Sequence, residues 1–387
     1  MSDGSKTIDC IVLGFGGVGS SALYFAAKKG WEVLGIDRFG TAHSFGSSHG
    51  QTRIIRTAYF EHQDYVPLAQ RSFELWDEIQ SQTTTELIRR TGVLQTGDPG
   101  GAVIQGLKSS VKEHDLDVEF LSPAEIEQRY PVLKVPRNVT GIFEREAGYL
   151  RVERCVASWV KRAMEEGVNI LTDTTAKSWT VEDDGTISVV VTSEEGEQVL
   201  KSRRLIIAAG SWSCQLIPEV DSRLQIVRKQ QHWYQLDRID IKAANGFPCF
   251  FFENEDGCFY GFPEIDYLGV KFAEHSGGEV LDSPESINRE IDENDRERIE
   301  KFIDDYFHQT RKRIVHFSQC LYTKSPDEHF VIDHSGGNQN VVFAAGLSGH
   351  GFKFVPAIGR QLVGMLCGDH DPLFDFLKVG DRFAMAR

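Results

Sequence analysis

The pattern that most constrains the fold lies near the start of the chain, where a glycine fingerprint follows an apolar segment. Residues 8–13 are apolar and rich in β-branched side chains, which predicts a buried parallel strand. Gly14, Gly16 and Gly19 follow in a G-x-G-x-x-G spacing, before a helical stretch at 20–29 and a second predicted strand at 31–36. In this βαβ setting the glycines allow a tight turn, close approach of a pyrophosphate and close packing of helix against strand.

Asp37 ends the second predicted strand, where a carboxylate is placed to accept hydrogen bonds from a ribose. The helix after the glycines directs N–H groups and partial positive charge at the phosphates. The fingerprint therefore predicts a dinucleotide-binding unit, but it does not distinguish NAD from FAD. Residues 204–212, a predicted strand ending in small residues far downstream, favour FAD because the chain would return to the nucleotide domain there.

A second glycine-rich turn lies near the C-terminus. Residues 341–345 predict an apolar strand, and Gly346, Gly349 and Gly351 follow it. Such a turn lets the backbone approach a ligand closely. A helix predicted to begin near Pro356 would direct its N-terminus at the same place. We therefore expect a second ligand-binding turn here.

The composition excludes several classes of protein. The chain has 387 residues, with 42 basic and 57 acidic side chains and a net charge of −15. That balance argues against a nucleic-acid or anionic-membrane partner. The first residues are polar, no apolar run is long enough to span a membrane, and the seven cysteines have no metal-ligand spacing. We expect a cytoplasmic protein with mostly reduced thiols and no metal.

The middle of the chain predicts two further kinds of element. Residues 65–80 predict an amphipathic helix, and Ser122 with Glu125 predicts a capping box at the start of a short helix. Residues 247–262 contain several aromatic side chains around the turn Glu255-Asp256-Gly257. This arrangement predicts a β-hairpin in a sheet with one aromatic face.

Six segments spread along the whole chain carry a resemblance to a known family. They are Gly14-x-Gly16-x-x-Gly19 with Asp37, residues 46–56 (GSSHGQTRIIR), residues 65–68 (YVPL), residues 260–263 (YGFP), Cys320-x-Tyr322 with Pro326-Asp327-Glu328, and residues 346–353 (GLSGHGFK). Together they resemble the monomeric sarcosine oxidase and N-methyltryptophan oxidase family of flavin-dependent amine oxidases. Residues 46–56 and 346–353 are specific, because neither segment is generic to dinucleotide-binding folds.

The resemblance implies a role for each matched position. Cys320 matches the cysteine that carries FAD through a thioether bond. Arg56 and Lys353 match the two cations that bind the substrate carboxylate, a task suited to a bidentate guanidinium and a point-charge ammonium. The residues implied to bind the cofactor are Gly14, Gly16, Gly19, Asp37, Arg38, Cys320, Gly349 and Lys353.

The catalytic assignments also come from the resemblance. Lys271 matches the lysine that activates oxygen, and a fixed cation suits that role because it stabilises superoxide as it forms. His275 matches a histidine beside the substrate. The residues implied near the flavin ring are Arg53 and His49, and those implied to line the substrate pocket are Tyr260 and Tyr322. Two departures are Gln51, where the family usually has aspartate, and residues 264–267 (EIDY), which put the substrate size in doubt.

The resemblance implies an α/β fold related to D-amino-acid oxidase and sarcosine oxidase. A Rossmann-like FAD-binding domain (1–90, 150–217 and 318–387) would interleave with a mixed-sheet substrate domain (91–149 and 218–317). The implied activity is oxidative demethylation of an N-methyl amino acid, with sarcosine the first choice, to aldehyde, amino acid and hydrogen peroxide. The implied partners are the amine substrate and molecular oxygen, and we expect a monomer.

Three alternatives remain open at this stage. The substrate could be another secondary amine, such as N-methyltryptophan, pipecolate or a fructosyl amino acid. The enzyme could be a flavin dehydrogenase that passes electrons to an acceptor other than oxygen. The chain could instead be an NAD-dependent dehydrogenase or a non-catalytic nucleotide-binding protein, which would leave Cys320 and residues 346–353 unexplained.

Overall fold

The computed structural model of the chain describes residues 6–220, 223–237, 240–308 and 312–383. The ends of the predicted FAD-binding domain, residues 1–5 and 384–387, lie outside this part. No helix in the described part is long and apolar enough to cross a membrane.

A six-stranded sheet, called the parallel sheet below, is built around the first strand. In sheet order its strands are Val331–His334, Val341–Ala345, Leu205–Ile207, Cys10–Leu13, Val33–Ile36 and Asn169–Leu171. All neighbouring pairs are parallel except the first, which is antiparallel. The apolar segments predicted as strands at 8–13, 31–36, 204–212 and 341–345 all contribute to it, so the predicted βαβ unit and the return of the chain at 204–212 are confirmed.

The helices Gly17–Lys28 and Val355–Leu366 pack on the parallel sheet, and the helices Val152–Glu165 and Tyr65–Ser81 pack against these two. Gly17–Lys28 packs between Val152–Glu165 and Val355–Leu366. It begins at Gly17, earlier than the predicted 20–29, so Gly19 lies in its first turn. The helix predicted near Pro356 is confirmed, since Val355–Leu366 carries a proline in its first turn.

A nine-stranded sheet, called the mixed sheet below, forms the second layer. In sheet order its strands are Glu279–Leu281, Gln225–Leu236, Val270–Glu274, Gly257–Phe262, Cys249–Asn254, Val93–Gly97, Thr140–Glu144 and Glu119–Leu121, and Lys312–Lys324 also pairs with Gln225–Leu236. Pairing is antiparallel except between Cys249–Asn254 and Val93–Gly97. Lys312–Lys324 runs across the predicted domain boundary at 318, and the division into two domains stays a prediction.

The predicted hairpin is confirmed as Cys249–Asn254 with Gly257–Phe262, but the prediction of one aromatic face is wrong. Phe250, Phe252 and Phe259 pack on one face beside Phe302 of the helix Glu293–Tyr306. Phe251 and Tyr260, which pair directly across the hairpin, lie on the other face. Side chains of a strand alternate between faces, so consecutive aromatic residues serve both. The second face is the one that takes part in the site described below.

Smaller elements complete the described chain. Two three-stranded sheets contain Thr175–Val181, Ile187–Ser193 and Gly196–Ser202, and Thr52–Ile55, Gly148–Arg151 and Ile88–Arg90. The other α-helices are Ala102–His114 and Pro123–Arg129, and the 3-10 helices are Gly210–Gln215, Ala243–Asn245, Pro284–Ser286, Phe352–Phe354, Pro372–Leu377 and Gly380–Phe383. The predicted capping box at Pro123–Arg129 is confirmed, with Ser122 and Glu125 bonding reciprocally.

Candidate active site

Two adjoining cavities lie between the parallel sheet and the mixed sheet. A long cleft runs from Gly14 and Asp37 past Cys320 to Gly349. A smaller pocket is lined by Arg56, Glu61, Phe251, Tyr260, His275, His350 and Lys353. Arg53, Tyr322, Gly349 and Phe352 line both, so the pocket adjoins one end of the cleft.

The far end of the cleft fits the phosphates and ribose of a dinucleotide. A Cβ at Gly19 would lie 1.8 Å from the carbonyl oxygen of Gly14, so only glycine lets the helix start this close to the strand. The Asp37 carboxylate accepts hydrogen bonds from the backbone N–H groups of Phe15 (2.8 Å) and Phe39 (2.9 Å). These bonds fix the carboxylate at the cleft wall, where a ribose hydroxyl could reach it.

The mouth of the cleft beside Asp37 is aromatic and cationic. The Arg38 guanidinium lies 5.6 Å from the ring centroid of Phe39 and 5.7 Å from that of Trp212. Arg38 also pairs with Glu285, which accepts the Trp212 indole N–H at 2.7 Å. Flat apolar rings backed by a guanidinium suit a nucleotide base.

Cys320 lies in the wall of the cleft, on the strand Lys312–Lys324. Its side chain is buried, and the Arg53 guanidinium donates to its sulfur at 3.3 Å. A Cβ on Gly349, which has a φ of 83°, would lie 2.2 Å from the Tyr322 ring. The glycine turn at 346–351 therefore packs directly on Tyr322, two residues from Cys320. The turn and the segment that contains Cys320, both predicted to bind a ligand, thus lie side by side.

Arg56 and Lys353 bring two buried cations into the smaller pocket. Arg56 donates to both carboxylate oxygens of Glu61 at 2.9 Å and to the carbonyl oxygen of Ala58 at 2.6 Å. The Lys353 ammonium donates to the carbonyl oxygen of His350 at 2.9 Å and to the Tyr59 hydroxyl at 3.4 Å. A small carboxylate is the ligand that such a pair of cations favours.

Burial sets the protonation of this pocket. Burial, together with the nearby charge of Arg56, lowers the pKa of Lys353 to about 7. Burial opposes ionisation of Glu61, but Arg56, His350 and Lys353 more than offset it and lower the pKa of that carboxyl to about 2. Glu61 is therefore ionised at neutral pH, and Lys353 titrates in that range.

The remaining wall of the pocket is aromatic. The His275 ring and the Tyr322 hydroxyl are 3.4 Å apart, and the rings of Phe251 and His275 are 5.6 Å apart. Burial lowers the pKa of His275 to about 3, so its imidazole is neutral. Burial also raises the pKa of Tyr260, which keeps its hydroxyl protonated. These rings line the pocket beside the two cations.

Lys271 and His49 lie behind the cleft wall and line neither cavity. The Lys271 ammonium is buried and donates to the carbonyl oxygens of Gly50 (2.5 Å) and Thr52 (3.1 Å). His49 bonds to the carbonyl oxygen of Gly46 at 3.0 Å and lies 3.3 Å from the Ser318 hydroxyl. Of the predicted site residues, the structure thus brings Arg53, Arg56, Tyr260, His275, Tyr322, Gly349 and Lys353 together at the pocket and sets Lys271 and His49 one layer back.

Sequence reasoning missed several polar residues of the site. Glu61 lies five positions after Arg56, and His350 falls inside the segment 346–353. Their closeness in sequence to predicted site residues was therefore a signal that they belong to the site. The Tyr59 hydroxyl lies 2.5 Å from the His350 ring, linking that histidine to Lys353. Lys229 is directly opposite Cys320 across the sheet, with its ammonium 5.5 Å from the Tyr322 ring centroid. No sequence spacing indicates that pairing, because the two residues lie on different strands.

Comparison with known proteins places the chain among flavin-dependent oxidoreductases. The family described as FAD dependent oxidoreductase (DAO) matches residues 9–365. Monomeric sarcosine oxidase of Arthrobacter sp. is 37% identical over 362 residues, which cover 92% of each chain. N-methyl-L-tryptophan oxidase of Salmonella typhimurium is 35% identical over 372 residues, which cover 95% of this chain and 96% of that protein.

Two solved structures share the fold at low sequence identity. NikD, described as an unusual amino acid oxidase essential for nikkomycin biosynthesis, matches with a TM-score of 0.82 at 21% identity, over 95% of this chain and 96% of that one. Fructosamine oxidase (Amadoriase II) of Aspergillus fumigatus matches with a TM-score of 0.80 at 18% identity, over 98% of this chain and 91% of that one.

Proposed function

Because the chain belongs to the FAD dependent oxidoreductase family, with sarcosine oxidases and N-methyltryptophan oxidases as its relatives, we propose that it oxidatively demethylates a small N-methyl amino acid, with sarcosine the first choice. The products would be an aldehyde, the demethylated amino acid and hydrogen peroxide. The observation that carries the proposal is the pair of buried basic side chains, Arg56 and Lys353, in a small aromatic pocket that adjoins the cofactor cleft.

Family membership decides part of what the sequence left open. The predicted resemblance and fold class are confirmed, and the enzyme is an FAD-dependent oxidase of the sarcosine oxidase and N-methyltryptophan oxidase type. The alternatives of an NAD-dependent dehydrogenase and of a non-catalytic nucleotide-binding protein are therefore wrong. The cleft fits this cofactor, since the Gly14–Gly19 turn and Asp37 are formed at one end and Cys320 at the other.

The residues of the pocket supply orientation and electrostatics. When bound, FAD supplies the acceptor for the two electrons removed from the amine. Arg56 and Lys353 would hold the substrate carboxylate, so that its N-methyl group points into the cleft and proximity contributes much of the rate. The same cations, with Arg53, would lower the pKa of the bound amine and favour its neutral, oxidisable form.

The size of the pocket favours a small substrate. The bulky rings of Phe251, Tyr260 and Tyr322 form part of the pocket lining and leave less room for a large side chain. N-methyltryptophan is the second candidate, because a relative of 35% identity is named for it. The fructosamine oxidase structure is only 18% identical in sequence, so it shares the fold with this chain and does not favour a fructosyl amino acid as the substrate.

Two further assignments belong to the proposal. Cys320 would carry FAD covalently, which is supported by its position in the cleft wall and by the contact of Arg53 with its sulfur. Lys271 would assist oxygen reduction, which is supported by a buried side-chain nitrogen placed one layer behind the cleft. The catalytic and binding roles that the resemblance implies for the other site residues are also part of this proposal.

A substrate panel tests the activity. Sarcosine, N-methylalanine, N-methyltryptophan, pipecolate and a fructosyl amino acid would each be supplied to the purified protein under air, with hydrogen peroxide measured. We expect the highest kcat/KM with sarcosine, and a large loss of kcat/KM in the Arg56→Met variant. Peroxide formation with none of the amines, but reduction of an added dye, would indicate a dehydrogenase and contradict the proposal.

A further inference from the structure

The Lys271 ammonium is held by a short segment of another part of the chain, residues 50–52, which has an unusual backbone. The ammonium bonds to the carbonyl oxygens of Gly50 and Thr52, the residues on either side of Gln51. Gln51 has a φ of 71°, in the left-handed region that side chains other than glycine rarely adopt. The Glu153 carboxylate accepts the backbone N–H groups of Gly50 (2.6 Å) and Gln51 (3.0 Å). The two carbonyls that hold the ammonium are therefore presented by a constrained turn.

The Gln51 side chain connects this turn to two other parts of the chain. Its amide nitrogen donates to the Asp266 carboxylate at 2.6 Å, and its amide oxygen accepts the Trp233 indole N–H at 2.8 Å. An indole N–H only donates and an ionised carboxylate only accepts, so the group between them must both accept and donate, as the primary amide of Gln51 does. The aspartate usual in the family at position 51 could not donate to Asp266. The two departures noted in the sequence, at 51 and at 264–267, are thus direct partners.

Asp266 and Trp233 both act on the strand that carries Lys271. The second carboxylate oxygen of Asp266 accepts the backbone N–H of Leu268 at 3.0 Å, which closes the turn leading into Val270–Glu274. Trp233 pairs with Lys271 across the mixed sheet, and the ammonium lies 5.1 Å from its ring centroid. The bonds of Gln51 therefore reach Lys271 from both ends, at the ammonium and at the start of its strand.

We propose that Gln51 and Asp266 are positioning residues for Lys271, holding its ammonium fixed behind the flavin cleft through the turn at Gly50–Thr52 and the indole of Trp233. The inference rests on the proposed role of Lys271 in oxygen reduction. A cation stabilises developing superoxide only from a fixed place, and a displacement of about 1 Å can cost a factor of about one hundred. Gln51 and Asp266 line neither cavity, so substrate binding should not depend on them.

The test compares the two half-reactions of the flavin-loaded enzyme by stopped-flow absorbance. In Gln51→Glu, two carboxylates face each other, and we expect reoxidation by oxygen to slow by about tenfold or more, while reduction by sarcosine changes less than twofold. The double variant Gln51→Glu/Asp266→Asn keeps the net charge and reverses the donor and acceptor of the bond. The new carboxylate at position 51 still accepts from Trp233, and the new amide at position 266 donates to that carboxylate. We therefore expect reoxidation to return to within about threefold of wild type.

A second measurement does not depend on activity. Amide hydrogen exchange of the peptide covering residues 264–272 should be faster in Gln51→Glu and restored in the double variant. If Gln51→Glu does not fold, Asp266→Asn alone provides the milder perturbation of the same bond. Gln235→Leu is the matched control, because it removes a 3.4 Å bond from Gln235 to the carbonyl oxygen of Tyr267 in the same turn, and the bond that Arg313 donates to Gln235, without touching Gln51.

The outcomes separate this inference from the role of Lys271 itself. Normal reoxidation in Gln51→Glu, equal slowing of both half-reactions, or no recovery in the double variant would each overturn the positioning role. Lys271→Met serves as the reference. If it slows reoxidation while Gln51→Glu does not, only the positioning role fails. If Lys271→Met reoxidises normally, the proposed oxygen-activating role fails and the positioning role fails with it.

Discussion

Among the single residues of the pocket, Arg56 and Lys353 differ in the hydrogen-bond partners that they already have before a ligand binds. Arg56 is already bonded to both oxygens of Glu61 and to Ala58, so an incoming carboxylate must share it. Lys353 bonds only to a carbonyl oxygen and, more weakly, to a hydroxyl among the contacts described. Its burial lowers the pKa to about 7, so its charge varies across the physiological range. Lys353 is therefore the group that should make ligand binding depend on pH.

Binding of a carboxylate without an amine, such as propionate, isolates this effect from titration of a substrate amine. Lys353 is mainly cationic below pH 7 and loses its charge as the pH rises through its pKa in the free protein. We therefore expect the Kd for propionate, measured by titrating the flavin absorption, to rise by up to about tenfold per pH unit above 7. Lys353→Met should bind propionate weakly, with a flat profile between about pH 6 and 9.

The control for this measurement is Lys161→Met, which removes an exposed lysine on the helix Val152–Glu165. It should keep the wild-type profile. A profile in Lys353→Met as steep as in wild type would assign the titration to another group.

Among the elements, those set by local sequence were predictable. Apolar periodicity, turn residues and proline placement predict the βαβ unit, the hairpin at 249–262 and the helix Val355–Leu366. Each of these signals comes from residues that are close together in the sequence. The sequence did not predict which aromatic side chains lie on each face of the hairpin's sheet, because the surroundings of Phe251 and Phe252 depend on what the sheet packs against. Periodicity shows that consecutive side chains point opposite ways, but not which face meets the ligand.

The capping box of Pro123–Arg129 allows a prediction about one element alone. The Ser122 hydroxyl accepts the N–H of Glu125, and the Glu125 carboxylate accepts the N–H of Ser122 at 2.7 Å. Ser122→Ala should lower the free energy of unfolding by about 1 kcal/mol, and Ser122→Asp should recover most of it. Because the helix lines neither cavity, kcat and KM should be unchanged. A loss of kcat without a loss of stability, measured by denaturant titration, would contradict this separation.

At the scale of the whole molecule, the site is assembled from segments far apart in the chain, and this limits what the sequence can predict. The resemblance indicated Arg56, Lys353 and Cys320 because they fall in contiguous motifs. The bond between Gln51 and Asp266 spans 215 positions, and Lys229 meets Cys320 only through the register of two long strands. Such pairs depend on tertiary packing, and a single sequence carries no signal for them.

The same assembly couples the cofactor to the stability of the entire fold. The cleft draws on residues from Leu13 to Val355 and from both large sheets, so a flavin held in it should link them. If Cys320 holds FAD covalently, wild-type protein should keep its yellow colour in the pellet after acid precipitation, and its Tm should not respond to added FAD. Cys320→Ala should release FAD into the acid supernatant, and its Tm should rise with the concentration of free FAD.

The size of that rise follows from linkage, because a ligand that binds only the folded state stabilises it by about 2.7 kcal/mol at a free concentration of one hundred times its Kd. Cys367→Ala is the matched control, since it removes an exposed cysteine outside the cleft and should behave as wild type in both assays. Colour released by acid from the wild-type protein, or a Tm that rises with FAD equally in wild type and Cys320→Ala, would contradict the covalent bond. If Cys320→Ala retains FAD without a covalent bond, other contacts must hold the cofactor, and the residues proposed for that at the opposite end of the cleft are the Gly14–Gly19 turn and Asp37.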